Sequence, residues 1–489
     1  MAVLAFSACQ PAEGGDADAE VTLSTSEMSF TAAGGSQDLY VRTTAEVKVT
    51  SSDSWCVVNE VDYSSDRSSK FSVAAAENAS LAERSATLAV YADSKKVGDV
   101  RIFQEAGEEK VEEQPEEIPE PDMTGMESDA KTLMKKMTLG INLGNTLEAI
   151  GGETAWGAPK TTEAIIRYFK ELGFNAVRIP CSWDQHLESG DGYVVKDSWM
   201  KRVKEVVDYV VGNDMYAVLN IHWDGGWLEN DIPNGYDKEV DAQQHAIWTQ
   251  IAKTFRDYDE HLVFAGTNEP NVEKPSHMET LLRYEQTFID AVRATGGRNA
   301  YRVLVFQGPS TDVDKTDQMM SKLPKDSVEG RLAAEVHYYT PWQFCGMNKD
   351  ESWGKMMFFW GDAQKEYAVG AYEGKWLDGF NEAYVARQMD KMKKKFWDKG
   401  IPVIIGEYSV CTTKTCNLGT KEENDKAREG YMKSRAAFNA CVVREAKSHG
   451  CVPFYWHCEG DLIDRRNLKV TEQMTYEAII EAGKTQYPD

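Results

Sequence analysis

The sequence is short of cysteine, of positive charge and of long apolar runs, and each shortage excludes a class of protein. Its nine cysteines in 489 residues include no Cys-x-x-Cys pair, which argues against a disulfide-built fold and against a structural zinc site. Cys411 with Cys416 and Cys451 with Cys458 are the candidate disulfide pairs, and buried free thiols are the alternative. No run approaches the roughly 18 apolar residues of a membrane-spanning helix.

The charge balance is strongly acidic, with 79 Asp and Glu against 54 Lys and Arg and a formal net charge of −25. Such a chain repels polyanions, so nucleic acid and anionic membrane surfaces are not expected partners. A neutral polymer is compatible with this charge. The chain is also 42% hydrophobic, which is enough for a large core, and its length suits two or three domains.

The first 20 residues are predicted to be a signal remnant followed by a tether. An apolar stretch ends at Ser7-Ala8-Cys9 and resembles the end of a bacterial lipoprotein signal, although it is short and no positive residue precedes it. Residues 11–20 are small and acidic, which is typical of a tether. The resemblance implies a lipid anchor on Cys9 and an outer-membrane surface location, with a periplasmic or secreted protein as the alternative.

Residues 21–107 are predicted to form a small all-β sandwich of the immunoglobulin-like type, because short alternating runs recur between Gly, Ser, Asp and Asn. The runs are Thr22–Ser24, Leu39–Val41, Val47–Val49, Phe71–Val73, Ala86–Tyr91 and Val100–Phe103. The Gly34-Gly35 turn, Ser54-Trp55, Arg84-x-Ala86-x-Leu88 and Phe103-Gln104 resemble a BACON domain. That resemblance implies a spacer module, with carbohydrate binding as the alternative. We expect Trp55 in the sandwich core.

An acidic segment, residues 108–122, follows the sandwich. It contains eight acidic residues, one lysine and three prolines. Such a composition repels itself and cannot form a core, so it is predicted to be an extended linker.

Residues 123–489 alternate apolar runs with helical periodicity, which is typical of a (β/α)₈ TIM barrel. The eight predicted strands are Thr138–Leu143, Phe174–Ile179, Met215–Ile221, Leu262–Gly266, Arg302–Phe306, Leu332–Val336, Ile401–Ile405 and Val452–Tyr455. The predicted helices are Thr162–Leu172, Ser198–Val211, Asp241–Arg256, Met278–Ala294, Glu382–Asp398 and Asn424–Lys447.

Two of these strands lead directly into a glutamate. The fourth runs into Asn268-Glu269-Pro270, and the seventh runs into Gly406-Glu407. The C-terminal ends of barrel strands form the active-site face, and the fourth and seventh strands lie on roughly opposite sides of the barrel. Two carboxylates that converge there suit acid–base or nucleophilic chemistry, and a separation of about 5–5.5 Å would make a glycosidase retaining.

The strand ends carry motifs that resemble glycoside hydrolase family 5, most closely its subfamily 4 endo-β-1,4-glucanases and xyloglucanases. The motifs are Gly140–Glu148, Asn175–Pro180, Asn220–His222, Asn268–Pro270, His337–Tyr339, Gly406-Glu407 and Leu462–Arg466. They occur in order across residues 137–489.

The resemblance implies a retaining mechanism with Glu269 as the general acid/base and Glu407 as the nucleophile. Arg178 and the hydroxyl of Tyr339 would favour the ionised form of Glu407. The charge of Glu407 would in turn help Glu269 to keep its proton.

The same resemblance implies substrate contacts. Asn268 would bond the 2-hydroxyl of the sugar, and Trp456 would form the floor of the −1 subsite. His222 and His337 would contact the substrate and the carboxylates. Asn142, at the end of the first strand, is expected to support the site.

Loop aromatics are predicted to supply platforms for an extended neutral glycan. The candidates are Trp156, Trp183, Trp223, Trp227, Trp342 and Phe344. The insert at residues 346–379 adds Trp353, Trp360 and Trp376, which either wall the cleft or form a local core. Two departures from the family pattern, His222-Trp223 after the third strand and Trp456–Gly460 after the eighth, leave the preferred substrate open.

The sequence therefore predicts a monomeric, envelope-anchored, endo-acting β-1,4-glucanase that needs no metal or cofactor. Xyloglucan, mixed-linkage glucan and soluble cellulose are the expected substrates. A β-mannanase or xylanase on the same scaffold and a non-catalytic surface glycan-binding lipoprotein are the alternatives, as is a glycan-binding role for the N-terminal sandwich.

Overall fold

The computed structural model describes residues 20–64, 68–107, 117–190, 192–410 and 414–488. The chain divides into two compact units, Met1–Glu116 and Glu117–Asp489. Cys9 lies outside the described residues, as does Cys411. Cys451 is a free thiol, so the disulfide considered between Cys451 and Cys458 does not form. No helix in the described ranges is long and apolar enough to cross a membrane.

The first unit is all-β, as predicted, and contains two four-stranded sheets with strand orders β1-β3-β6-β5 and β2-β8-β7-β4. The strands are β1 (Thr22–Leu23), β2 (Glu27–Phe30), β3 (Gly35–Arg42), β4 (Val47–Ser51), β5 (Cys56–Ser64), β6 (Ser68–Ala75), β7 (Arg84–Ala92) and β8 (Lys95–Gln104). Alternate residues of both sheets share one core, because strand side chains alternate between faces. Trp55 packs against that core, and the guanidinium of Arg84 lies 4.4 Å from its ring centre.

The second unit is a closed barrel of eight parallel strands, so the predicted fold class is confirmed. Its strands are β9 (Gly140–Asn142), β10 (Ala176–Ile179), β11 (Tyr216–Asn220), β12 (Leu262–Ala265), β13 (Leu304–Gln307), β14 (Leu332–Tyr338), β15 (Val403–Tyr408) and β16 (Cys451–Tyr455). Each of the eight predicted strands overlaps one of them. A short hairpin, β17 (Ile463–Asp464) with β18 (Lys469–Val470), follows the last barrel strand.

The helices of this unit include all six predicted ones and four more. They are α1 (Ala130–Lys136), α2 (Glu163–Glu171), α3 (Asp197–Gly212), α4 (Lys238–Thr254), α5 (Met278–Arg293), α6 (Val313–Met319), α7 (Trp342–Cys345), α8 (Glu382–Lys395), α9 (Lys421–Ser448) and α10 (Gln473–Gly483). The longest, α9, begins at a capping box in which Thr420 and Glu423 each accept the backbone N–H of the other.

The acidic segment ends within the barrel unit. The carbonyl of Pro119 accepts the N–H of Gly297, and the N–H of Asp122 donates to the carbonyl of Gly297, both at 3.1 Å. Residues 117–122 are therefore held by backbone hydrogen bonds to the turn that follows α5.

The barrel interior is apolar at its N-terminal end and polar at its C-terminal end. An apolar layer that includes Ala176, Ala333 and Ile404 packs together with residues of α1. Two positions further along their strands, on the same face, come Arg178 and Glu335. Strand alternation therefore stacks the polar side chains of the site on an apolar floor.

A register shift in β15 aims one of the glutamates. The ladder between β14 and β15 is irregular at Val336/His337, and His337 then pairs with Glu407. Such irregularities redirect a side chain. Glycine is favoured at the neighbouring position 406, because a Cβ on Gly406 would overlap the buried carboxylate of Glu335.

Candidate active site

The predicted site residues lie at or just beyond the C-terminal ends of the barrel strands. Asn142 ends β9, Arg178 is the next-to-last residue of β10, and Glu407 lies near the end of β15. The others are at or after the ends of β11, β12, β14 and β16, namely His222, Asn268, Glu269, His337, Tyr339 and Trp456. The chemistry of the barrel is therefore concentrated at one end.

Glu269 and Glu407 converge on His337. One carboxylate oxygen from each glutamate and one ring nitrogen of His337 lie within 4.8 Å of one another. Nδ1 of His337 is 2.8 Å from Oε1 of Glu269 and 3.6 Å from Oε2 of Glu407. This close approach of the carboxylates is the spacing of a double-displacement site, because it leaves no room for a water between them and the sugar.

Arg178 is the buried cation of the site. Its Nη1 lies 3.0 Å from Oε1 of Glu407 and from Oδ1 of Asn142, and its Nη2 donates to Oδ1 of Asn268 at 2.7 Å. Its Nε lies 2.9 Å from Oε1 of Glu335. The planar guanidinium thus orients four side chains at once, which a point charge cannot do.

Both oxygens of Glu407 are engaged. Arg178 contacts Oε1, and the hydroxyl of Tyr339 donates to Oε2 at 2.9 Å. Burial raises the pKa of Glu407 above its usual value, and the charges of His337 and Arg178 act against that rise. The Tyr339 hydrogen bond also favours the ionised form.

His337 is held in its charged form. Burial alone would lower its pKa, but Glu407 and the hydrogen-bonding carboxylates of Glu269 and Glu335 raise it to about 10. For Glu269, burial favours the neutral form, yet the hydrogen bond and charge of His337 outweigh it and hold the pKa below its usual value.

The sequence predicted that Glu269 keeps the proton, whereas the lowered pKa of Glu269 and the raised pKa of His337 favour its placement on His337 in the free site. Three carboxylates (Glu269, Glu335 and Glu407) face two cations, so the net charge is the same whether one proton sits on His337 or on Glu269. The two forms differ by the transfer of one proton between His337 and Glu269 along their 2.8 Å hydrogen bond. Such a pair titrates as a unit.

Glu269, His337 and Glu407 also have the donor types of a cation site. Arg178 and charged His337 already occupy the cationic positions around these carboxylates. The cluster is therefore electrostatically compensated by its own side chains, which does not favour a further divalent cation there.

The remaining predicted residues flank this cluster. His222 stacks on Trp456 with ring centres 5.7 Å apart and planes at 8°, and burial and nearby cations hold its pKa well below the usual value. Trp223 is exposed, as is Trp342, which packs edge-on against Tyr339 at 6.0 Å. Neutral His222 and these indoles give the cleft uncharged walls.

Other predicted platforms divide between surface and core. Trp156 is exposed, whereas Trp183 and Phe344 are fully buried and were wrongly assigned to the cleft. Trp227 is partly buried against the core. Phe344 is buried against Tyr431 and Phe438 of α9, and the indole N–H of Trp183 donates to the carbonyl of Asn220 in β11. Neither contact is visible from the position of these residues in the sequence.

The insert does not follow either prediction as a whole. Trp360 is buried and Trp376 packs against the core, with its indole N–H donated to the carbonyl of Gly361. Trp353, in contrast, is 62% exposed. A Cβ added at Gly354 beside it would lie 3.6 Å from the side chain of Gln343, so Trp353 lies near the segment that carries Trp342.

Two buried glutamates in the site were not predicted. Glu335 is fully buried and links Arg178, His337 and Gln307. The sequence could have indicated Glu335. It is an acidic residue inside an apolar strand, two positions before His337 and therefore on the same face of that strand as His337. Glu229, from the loop after β11, accepts the backbone N–H groups of Asn268 and Glu269. No sequence pattern marks that contact.

The chain is similar to a defined set of known proteins. The profile of the family Cellulase (glycosyl hydrolase family 5) matches residues 141–461. The xyloglucan-specific endo-beta-1,4-glucanase of Bacteroides ovatus is 32% identical over 92% of this chain and 88% of its own length.

Solved structures give the same picture. The Bacteroides ovatus GH5 xyloglucanase in complex with a XXXG heptasaccharide aligns with a TM-score of 0.67 and 30% identity, over 95% of this chain and 100% of that one. A GH5 xyloglucan-specific beta-1,4-glucanase from a ruminal metagenomic library aligns with a TM-score of 0.64 and 36% identity, over 74% of this chain and 98% of that one.

Proposed function

Because this chain belongs to glycosyl hydrolase family 5, we propose that it is a retaining endo-β-1,4-glucanase with xyloglucan as its preferred substrate. The observation that carries the reaction type is the approach of Glu269 and Glu407 to within 4.8 Å, oxygen to oxygen, at the active-site end of the barrel. The choice of xyloglucan is supported by similar proteins that are described as xyloglucan-specific or as xyloglucanases.

In the first step a carboxylate oxygen of Glu407 forms a bond to the anomeric carbon. The bond from that carbon to the glycosidic oxygen breaks, and the proton of the Glu269–His337 pair passes through Glu269 to the leaving oxygen. The product is a glycosyl ester of Glu407, which no longer carries a charge.

In the second step water attacks the anomeric carbon. Glu269 takes a proton from this water, and the ester bond to Glu407 breaks and restores its carboxylate. Arg178 and Tyr339 hold the departing carboxylate, since they already contact its two oxygens. Configuration at the anomeric carbon is retained because it is inverted twice.

Substrate preference is tested by comparing initial rates on tamarind xyloglucan, barley β-glucan, carboxymethylcellulose and mannan. We expect oligosaccharides from the glucans, with xyloglucan fastest. Hydrolysis of mannan alone would keep the mechanism and overturn the substrate. Tight glycan binding with no product from any polymer would revive a non-catalytic glycan-binding role.

Replacing His337 by glutamine is expected to move the acidic limb of the kcat/KM profile to higher pH. Glu407 must be ionised to attack, and the charge of His337 is one of the groups that lower its pKa. Without that charge the pKa of Glu407 rises further, so activity is lost at a higher pH as the solution is acidified.

The measurement is kcat/KM across about pH 4–9, a range that spans both limbs of a glycosidase profile. His245→Gln is the matched control, because His245 is an exposed residue of α4. An acidic limb that stays in place in His337→Gln would contradict this reading of the cluster.

For the rest of the chain we propose that residues 21–107 form a BACON-like spacer and that Cys9 carries a lipid anchor at the outer membrane of a monomeric enzyme. The two-sheet topology of the first unit supports the spacer. Affinity electrophoresis with the full chain beside a chain lacking residues 20–107 tests it, and weaker retardation by glucan in the shortened chain would assign binding to the sandwich instead.

A further inference from the structure

Glu229 occupies an unusual position beside the reacting groups. It lies in the loop after β11, and only 3% of its surface is exposed. Its Oε1 accepts the N–H of Glu269 at 2.5 Å, the N–H of Asn268 at 3.1 Å and the hydroxyl of Thr267 at 3.3 Å. One buried oxygen therefore collects three donors from consecutive residues.

These donors belong to a segment that has left the barrel ladder. Strand β12 ends at Ala265, and the N–H of Gly266 still donates to the carbonyl of Val305. The next N–H, of Thr267, donates to the side chain of Gln307 at 2.9 Å. The N–H groups of the next two residues, Asn268 and Glu269, donate to the carboxylate of Glu229. Buried backbone donors need partners, and here the side chains of Gln307 at the end of β13 and of Glu229 in the loop after β11 supply them.

The loop that carries Glu229 makes a second hydrogen bond to the same segment. Its backbone carbonyl accepts the N–H of Asn271 at 3.2 Å. Glu229 thus contacts the chain on both sides of Glu269-Pro270. Burial raises the pKa of Glu229 to about 7, the charge of Glu269 acts in the same direction, and the two backbone N–H groups act against it.

Glu269 depends on such support. Its side chain is 47% exposed, so packing alone does not determine its direction. Apart from the hydrogen bond between its carboxylate and His337, the direction of Glu269 is set by the backbone that carries it, whereas Oδ1 of Asn268 accepts a hydrogen bond from the buried Arg178. A displacement of about 1 Å at a reacting group costs about 100-fold in rate. The backbone beneath Glu269 is therefore the part whose placement matters most.

We propose that Glu229 is a positioning residue for the general acid/base: its carboxylate holds the backbone of Asn268 and Glu269 so that the carboxyl of Glu269 meets the leaving oxygen. This role rests on the proposed function, since it assumes that Glu269 delivers the proton. Glu229 itself does not reach the reacting atoms in this arrangement and acts through the chain that it binds.

The chain offers a matched comparison in Glu148. It is also buried, its pKa is also raised by burial to about 7, and it accepts the N–H groups of Asn145 and Thr146 beyond β9. That strand tip carries no catalytic carboxyl. Glu148→Gln therefore shows how activity changes when a similar carboxylate that holds backbone N–H groups is altered at a strand end that does not carry Glu269.

The experiment compares two substrates that differ in their need for an acid. Glucan cleavage needs a proton on the leaving oxygen, whereas dinitrophenolate leaves a dinitrophenyl β-cellobioside without one. For Glu229→Ala we expect kcat/KM on β-glucan to fall about 100-fold and kcat/KM on the aryl glycoside to fall less than about 3-fold. Glu229→Gln keeps an acceptor oxygen but loses the charge, and we expect partial rescue, because a neutral hydrogen bond is roughly half as strong.

An equal loss on both substrates in Glu229→Ala, with unchanged thermal unfolding, would reduce Glu229 to a general structural role and overturn the inference. So would the same preference for the aryl glycoside in Glu148→Gln. If Glu229→Ala does not fold, the inference is tested with Glu229→Gln, by comparing its loss of kcat/KM on β-glucan with its loss on the aryl glycoside. Wild-type enzyme that cleaves neither substrate would instead refute the proposed function.

Discussion

Replacing Glu407 by alanine is expected to lower kcat for glucan hydrolysis by about 10⁴-fold or more, since removal of a covalent nucleophile eliminates the low-barrier route. The neighbouring groups cannot substitute for it. Tyr339 and Arg178 are arranged as partners of the carboxylate, and the carboxylate of Glu269 is hydrogen-bonded to His337. Reducing-end release at saturating polysaccharide is the measurement.

Two variants separate chemistry from folding. Glu407→Gln keeps the shape of the side chain and should be almost as inactive. Glu260→Ala removes a carboxylate that pairs with Lys136 just before β12, at the N-terminal end of the barrel, where catalysis is not located. It should keep kcat within about 2-fold. More than about one hundredth of wild-type activity in Glu407→Ala would mean that another residue is the nucleophile.

Replacing Arg178 by methionine is expected to destabilise the barrel by about 3–5 kcal/mol, the usual cost of removing one partner from a buried ion pair. The side chain is fully buried and faces the carboxylates of Glu335 and Glu407. Activity should also fall, because loss of this charge raises the pKa of Glu407 further and leaves Asn268 without its donor.

Denaturant unfolding followed by tryptophan fluorescence measures the change in the free energy of unfolding caused by Arg178→Met. Arg178→Lys should recover only part of it, because one ammonium cannot reach all four partners. Adding Glu335→Gln to Arg178→Met should restore stability by removing an uncompensated charge. A double variant that is less stable than Arg178→Met would show that the carboxylate of Glu335 is not the source of the cost.

The fold could be predicted where the chain repeats a strong pattern. Barrel strands are buried on both faces and carry apolar runs, and long helices such as α3 and α5 have a clear apolar stripe. Short elements were missed for the same reason. The seven residues of α1 and of α6 are too few to show a helical period, β2 has only four residues, and β5 lacks a clean alternation.

The site could be predicted where it follows from strand position. Each residue at a strand end belongs to the active-site face by topology alone, which is how Glu269 and Glu407 could be paired across the sequence. Glu229 could not be found this way, since its contacts depend on how one loop folds over another strand tip. The position of the proton could not be predicted for a related reason. It depends on the distances from His337 to three carboxylates, and the spacing of residues along the sequence does not determine those distances.

The cysteines described above also make the protein its own reporter of unfolding. Cys56 is buried in the sandwich, whereas Cys181, Cys345, Cys441 and Cys451 are buried in the barrel. Burial raises the pKa of Cys56 and of Cys451, so these thiols react with an alkylating reagent only after the structure around them opens. Alkylation followed by peptide mass spectrometry would therefore time the opening of each domain separately within a single intact chain.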